Sequence, residues 1–161
     1  MFTPDEVEAV VLGLRMVASF GGPDLLPHTQ SALARITLAL PEARRGEMEA
    51  SRLFAPRFAV HDAAAQRIGP LRQAAAAKKL VECNYVDELG AHTQRVIRPL
   101  GLFFWGRVWT LVAWCELRND HRTFRLDRIE QWKVLETNFT DEPDKSLERY
   151  LEKVGRDGSL F

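Results

Sequence analysis

The stretch Arg95–Arg128, RVIRPLGLFFWGRVWTLVAWCELRNDHRTFRLDR, decides the fold. Its centre, Val108 to Glu116, is the most apolar run of the chain and alternates with period two. Trp109, Leu111, Ala113 and Cys115 share one face, and Val108, Thr110, Val112 and Trp114 the other, so both faces are expected to be covered. Leu102 to Trp105 and Arg122 to Leu126 read as flanking strands. They join the centre through a tight turn at Gly106-Arg107 and a second at Arg118-Asn119-Asp120-His121. The stretch also carries seven arginines (Arg95, Arg98, Arg107, Arg118, Arg122, Arg125, Arg128) against three carboxylates, with no lysine. The whole chain has a formal net charge of zero, so this surplus is local. A guanidinium binds carboxylate or phosphate through two parallel hydrogen bonds and stacks on rings, which an ammonium does poorly. The plainer account is that some of these arginines solvate a barrel's outer face and pair with nearby acids.

Upstream, Val81, Cys83 and Tyr85 alternate with Glu82 and Asn84, as in a half-buried strand, and Asp87-Glu88-Leu89-Gly90 is a hairpin turn. A polar strand covers His92 to Arg98, and Pro99 predicts an edge or a bend. Gly69-Pro70 opens a short helix, LRQAAAAKKL. Downstream, Ile129 to Glu136 is the last strand. A helix leading into about five short antiparallel strands predicts an α+β chain with a small closed barrel over residues 68–137, closure removing free edges.

Helices flank the barrel. Thr3-Pro4-Asp5-Glu6 starts the first with a capping box and Pro at the first helical position, and Val7, Val10, Val11, Leu14 and Val17 follow on one face. Gly21-Gly22-Pro23 ends it. A second helix runs from about Pro27 through Leu33, Ile36 and Leu40 to Pro41. Residues 1–50 are read as a helical linker or dimerisation segment, and 51–67 as a connection in which Phe54, Phe58 and Val60 are extended. Residues 42–51 fit a helix or a linker. In the last part, 138–161, a charged loop precedes a helix with Leu147, Tyr150, Leu151 and Val154 on one face. Gly155 and Gly158 end that helix, and Leu160-Phe161 is a docking tail.

With 46% apolar residues the chain can bury a core, and its balanced charge argues against a protein that coats nucleic acid through net positive charge. Cys83 and Cys115 are too few for a metal or redox motif, and Cys115, in an apolar strand, would be inert; a reducing, cytoplasmic setting is expected. No apolar run is long enough to span a bilayer, and no signal peptide is recognisable, so no membrane contact is expected. The four histidines show no ligand spacing, and GxSxG, P-loop and GxGxxG patterns are missing, so neither metal, cofactor nor catalysis is expected.

The segment RPLGLFFWGRVWTLVAWCELRNDHRTFRLDRI resembles the WYL domain of bacterial transcriptional regulators. The Trp-Tyr-Leu tripeptide of that family corresponds to Trp109-Thr110-Leu111, with Thr110 in place of Tyr. The arginine-rich strand of the family corresponds to Arg122-Thr123-Phe124-Arg125-Leu126-Asp127-Arg128-Ile129, and Tyr85 and Arg98-Pro99-Leu100 also fit. The first helix resembles the segment joining the family's DNA-binding and WYL parts. The resemblance implies an Sm-like, SH3-type barrel that senses a nucleotide or a single-stranded nucleic acid. Regulators of this type usually begin with a winged helix-turn-helix; none precedes the first helix here, so contact with duplex DNA would need one supplied from outside these residues.

The ligand-binding set expected from both lines is Tyr85, Arg98, Trp109, Thr110, Arg122, Arg125 and Arg128. Arg122 and Arg125 should point to opposite faces of their strand. Arg98, Arg122 and Arg128 are expected to converge near the Trp109 strand and clamp phosphates, while Tyr85 or an exposed aromatic stacks on a base. Against this, Trp109, Trp114 and Phe124 have an ordinary role as barrel core, and Arg125 has one as a surface partner of Asp127 or Glu130. Two further readings stay open: an oligomerisation module whose helices form a homodimer, and an Sm-like RNA-binding protein.

Overall fold

The computed structural model describes residues 2–42, 45, 55 and 62–156. Most of the expected connection around Phe54, Phe58 and Val60, together with Gly158 and the Leu160-Phe161 tail, lies outside them. The chain divides into two compact units, Met1–Gly69 and Pro70–Phe161.

In the first unit, α1 (Pro4–Phe20) opens on the expected capping box. The Glu6 amide donates to Thr3 Oγ1 at 3.3 Å, and the Thr3 amide donates to Glu6 Oε2 at 2.6 Å, which holds the Glu6 carboxyl below its ordinary range. Gly21 caps the end. Gly22 follows at φ +86°, with the Ala65 carbonyl oxygen only 2.8 Å from where a Cβ would stand. The second helix, α2 (Leu26–Ala39), stops at Leu40 before Pro41. Of the expected apolar face of α1 only Val11 is buried, and Val10 and Val17 are exposed, as are Met16 and, on α2, Leu38.

The third helix, α3 (Asp62–Ala76), departs from the expectation that Gly69-Pro70 would open a helix, because Pro70 lies inside it. A proline there removes one hydrogen bond and crowds the preceding turn, at a cost of about 3 kcal/mol. Ala64, Ile68 and Leu71 recur at helical spacing and are buried, as is Ala74. Burial of an Ile or Leu contributes roughly 1.5–3 kcal/mol each, enough to carry the helix through the proline.

Five strands follow: β1 (Lys79–Val86), β2 (His92–Phe104), β3 (Trp109–Cys115), β4 (Asp120–Arg125) and β5 (Ile129–Asn138). They form one antiparallel sheet in the order β4-β3-β2-β1-β5. The expected strands at His92–Arg98 and Leu102–Trp105 are one continuous strand. Pro99, which donates no hydrogen bond, is absorbed by an irregularity between Pro99 and Gly101. The barrel is not closed: β4 and β5 are both edges. Charge protects these edges instead of pairing, with Asp120, Arg122 and Arg125 along β4 and Glu130, Lys133 and Glu136 along β5. One side chain reaches across, the Tyr85 hydroxyl on β1 accepting from the Arg125 amide on β4 at 3.4 Å.

Register fixes the two faces. Val81, Ile97 and Cys115 form one row of the inner face, and Leu111 with Phe124 forms another; all five are buried. The outer face carries the rows Arg98–Trp114–His121, Gly101–Val112–Thr123 and Phe103–Thr110–Arg125. After β5, a 3-10 turn (Pro143–Lys145) leads to α4 (Leu147–Arg156), which covers this outer face; hence Thr110 to Cys115 are all buried, as the two-sided apolar pattern requires. Among the described residues no helix is long and apolar enough to cross a membrane.

Candidate functional site

The seven expected residues fall into two groups along β3. Arg98 stands opposite Trp114 near the end of that strand, whereas Arg125 stands opposite Thr110 near its start. Four residues of strand separate the two rows, roughly 13 Å. Arg122, opposite Ala113, is on the inner-face register, and Arg98 is on the outer one. The expected convergence of Arg98 with Arg122 is therefore not what the register gives: Arg98 follows the parity of Trp114, and Arg122 the opposite parity. The opposed facing of Arg122 and Arg125 is observed.

Arg98 is the most enclosed of the four arginines. Its Nε donates to Glu116 Oε1 at 2.5 Å and its Nη1 to Glu142 Oε1 at 2.6 Å, with the guanidinium 5.8 Å from the centre of the Phe139 ring. The two carboxylates raise its affinity for the proton, and Lys145 and Arg98 together hold the Glu142 carboxyl below its ordinary range. Beside it the C-terminal segment is anchored to the sheet at several points. Lys145 Nζ lies 5.5 Å over the Trp114 ring. His121 Nε2 is 2.9 Å from the Ser146 carbonyl, and the Thr123 hydroxyl is 3.2 Å from that of Tyr150. Leu147 rests against Gly101, where an added Cβ would come within 3.2 Å of it.

At the other end, Arg125 forks onto Asp127, Nε to Oδ1 at 3.1 Å and Nη2 to Oδ2 at 2.7 Å, and this pairing depresses the Asp127 carboxyl. Arg128, in the 3-10 turn Leu126–Arg128, pairs with the exposed Glu88 at 3.2 Å. Tyr85 is turned inward, its ring edge-on to Phe124 at 5.1 Å. Thr110 is buried, and its hydroxyl accepts from the Trp105 indole at 2.9 Å. Trp109 packs on Phe104 at 5.0 Å. By contrast Arg122 is exposed, contributes to lowering the nearby Asp120 carboxyl, and makes no ion pair among the described residues.

Sequence reasoning missed two features. The Arg98 partner Glu142 lies 44 residues away, in a loop whose charge alone did not say what it touches. Trp105 and Arg107 stand exposed at the β2–β3 turn; the available signal was a Trp directly before a Gly-X turn, where a strand outruns its core. Cys83 and Cys115 are buried and unlinked, and burial above all pushes the Cys83 thiol up to about 11, so it stays protonated. The clefts of this unit include two among the described residues. One of about 900 Å³ is mostly acidic, with Asp141, Asp144, Glu148 and Glu152 in its wall; the other, of about 230 Å³, is lined by Glu82, Asn84, Gln94 and Gln131. None of the seven expected residues lines either.

Residues 66–134 match the family model of the WYL domain. Among solved structures, the proteasome accessory factor B/C (PafBC) of Arthrobacter aurescens is similar at 25% sequence identity over 89% of this chain, with a TM-score of 0.46. The chain spans 23% of the length of that protein.

Proposed function

We propose that residues 66–134 are the effector-sensing part of a transcriptional regulator, an Sm-like, SH3-type barrel that binds a nucleotide or a single-stranded nucleic acid and thereby modulates duplex binding by a helix-turn-helix. The WYL match supports this, covering the strands that hold the arginines. A strand order in which β1 pairs with both β2 and β5, with a 3-10 turn between β4 and β5, is compatible with that barrel type. The observation that carries the reading is the concentration of Arg122, Arg125 and Arg128 along one edge strand and its turn, Arg122 and Arg125 on opposite faces of it. Arg122 is unpaired there, and the other two are held by acids close to solvent. Exposed ion pairs contribute about 0–1 kcal/mol, so a phosphate can displace Asp127 or Glu88 at little cost. The setting is cytoplasmic, in keeping with two unlinked cysteines.

Fluorescence anisotropy at fixed salt tests this, with labelled short single-stranded DNA, its RNA counterpart and mononucleotides as competitors. Arg122→Ala and Arg128→Ala are each expected to weaken binding. Unchanged binding, or none by the unaltered protein, contradicts the reading. A clear preference for RNA through the 2′-hydroxyl moves the function to RNA binding.

A homodimerising interaction module is the second reading, and exposed Val10, Met16 and Val17 on α1 with Leu38 on α2 favour it.

A further inference from the structure

The β2–β3 hairpin ends in two exposed groups of opposite chemistry. Trp105 is 51% exposed, in a molecule where Trp114 is 8% exposed. Its ring stacks alongside Phe103, centroids 6.3 Å apart and planes within 19°. It is also held in orientation: its Nε1 donates to the buried Thr110 hydroxyl at 2.9 Å. The amide of Trp105 bonds the Val108 carbonyl at 2.9 Å across the turn, and Gly106 at φ +80° supplies the left-handed residue that such a turn requires. The result is an apolar plate whose polar atom is already satisfied and whose outer face lies open. Two residues on, Arg107 is exposed and makes no ion pair or hydrogen bond among the described residues. Arg125 lies in the same cross-strand row as Phe103 and Thr110.

A flat indole fixed by its own N–H offers a base a stacking surface without a conformational search, and each such stack contributes appreciably whatever the base. An unpaired guanidinium beside it matches the phosphate linked to that base. We propose that Trp105, backed by Phe103 and oriented by Thr110, is a base-stacking platform, and that Arg107 takes the adjoining phosphate of a single-stranded oligonucleotide. The proposal rests on the single-strand reading above but assigns a site in which none of Arg98, Arg122 or Arg128 takes part. Thr110 is a positioning residue in it: a Tyr there would fill the space into which the indole N–H points.

Anisotropy titrations of labelled oligo(dT) into the full chain test the site, with circular dichroism melting of each variant as the check on folding. Trp105→Ala is expected to weaken binding about 5- to 150-fold, and Trp105→Phe to restore most of it, because Phe keeps a stacking face. Arg107→Ala is expected to lower the slope of log K against log salt by about 0.7, the loss of one phosphate contact. If Trp105→Ala binds as the unaltered chain does while Arg122→Ala does not, the platform is wrong and the single-strand reading survives. If the unaltered chain binds no oligonucleotide, both fall. If Trp105→Ala keeps binding but changes the mass in solution, the ring belongs to a contact between copies and the proposal is overturned.

Discussion

Arg98 joins Glu116 at the end of β3 to Glu142 in the C-terminal segment, and it is largely enclosed while doing so, with 13% of its side chain exposed. Removing it leaves the Glu116 carboxylate without a cation and Glu142 with Lys145 alone. Arg98→Ala is therefore expected to destabilise the chain by roughly 1–3 kcal/mol, read from urea unfolding. Arg98→Lys should recover part of this, since an ammonium cannot fork onto both acids. A loss within error would mean the two ion pairs are surface decoration. Thr110 shows what a motif can and cannot convey. Its place in the Trp-Tyr-Leu pattern was legible, but its hydrogen bond to Trp105 depends on an aromatic five residues earlier across the turn. Thr110→Tyr is expected to overpack a site now 7% exposed, costing about 1–3 kcal/mol, seen as a lower melting temperature.

At the scale of elements, signals local in sequence were readable and those that depend on distant partners were not. The α1 cap, the stop at Gly21-Gly22, the Asp87–Gly90 turn and the Gly106-Arg107 turn each rest on residues within a few positions of one another. Gly22 combines a positive φ with the Ala65 carbonyl at 2.8 Å from a built Cβ, so Gly22→Ala is expected to lose at least roughly 1–2 kcal/mol. The helix that runs through Pro70 was not readable as one element, because Gly69-Pro70 reads locally as a helix start while burial of Ile68 and Leu71 carries the helix through it. Nor was the docking of the C-terminal segment, whose anchors Glu142, Lys145 and Ser146 find Arg98, Trp114 and His121 only after folding. The ion pairs of this unit have a pH signature. The Glu142, Asp120 and Asp127 carboxyls all sit below their ordinary values, chiefly through hydrogen bonds from Lys145 and Arg98, from Lys153, and from Arg125 respectively. A depressed carboxyl stabilises the fold above its unfolded value and stops doing so as pH falls through the folded one. Melting temperature should thus hold level above about pH 5 and decline below it, with Glu142→Gln flattening the decline. A melting temperature unchanged down to pH 3 would contradict this.

For the whole molecule, an open five-stranded sheet with charged edges keeps β4 accessible, and β4 with its following turn is where Arg122, Arg125 and Arg128 reside. The five antiparallel strands could be anticipated from period-two runs and turns. That the sheet stays open could not, because charge along an edge strand does the protective work that pairing would otherwise do. The arginine surplus was plain in the composition of one stretch. Which guanidiniums remain unpaired was hidden, since Glu88 and Glu142 are remote in sequence from Arg128 and Arg98. If the exposed apolar side chains of α1 and α2 meet a second copy, light scattering should give twice the monomer mass, and Val17→Glu should halve it. The most direct test of the account is the affinity of the unaltered chain for a short labelled single-stranded DNA, measured at several salt concentrations beside Arg122→Ala. Saturable binding that weakens with salt, and that weakens further without the Arg122 guanidinium, is the predicted result. No binding at any salt, or binding indifferent to Arg122, would contradict it.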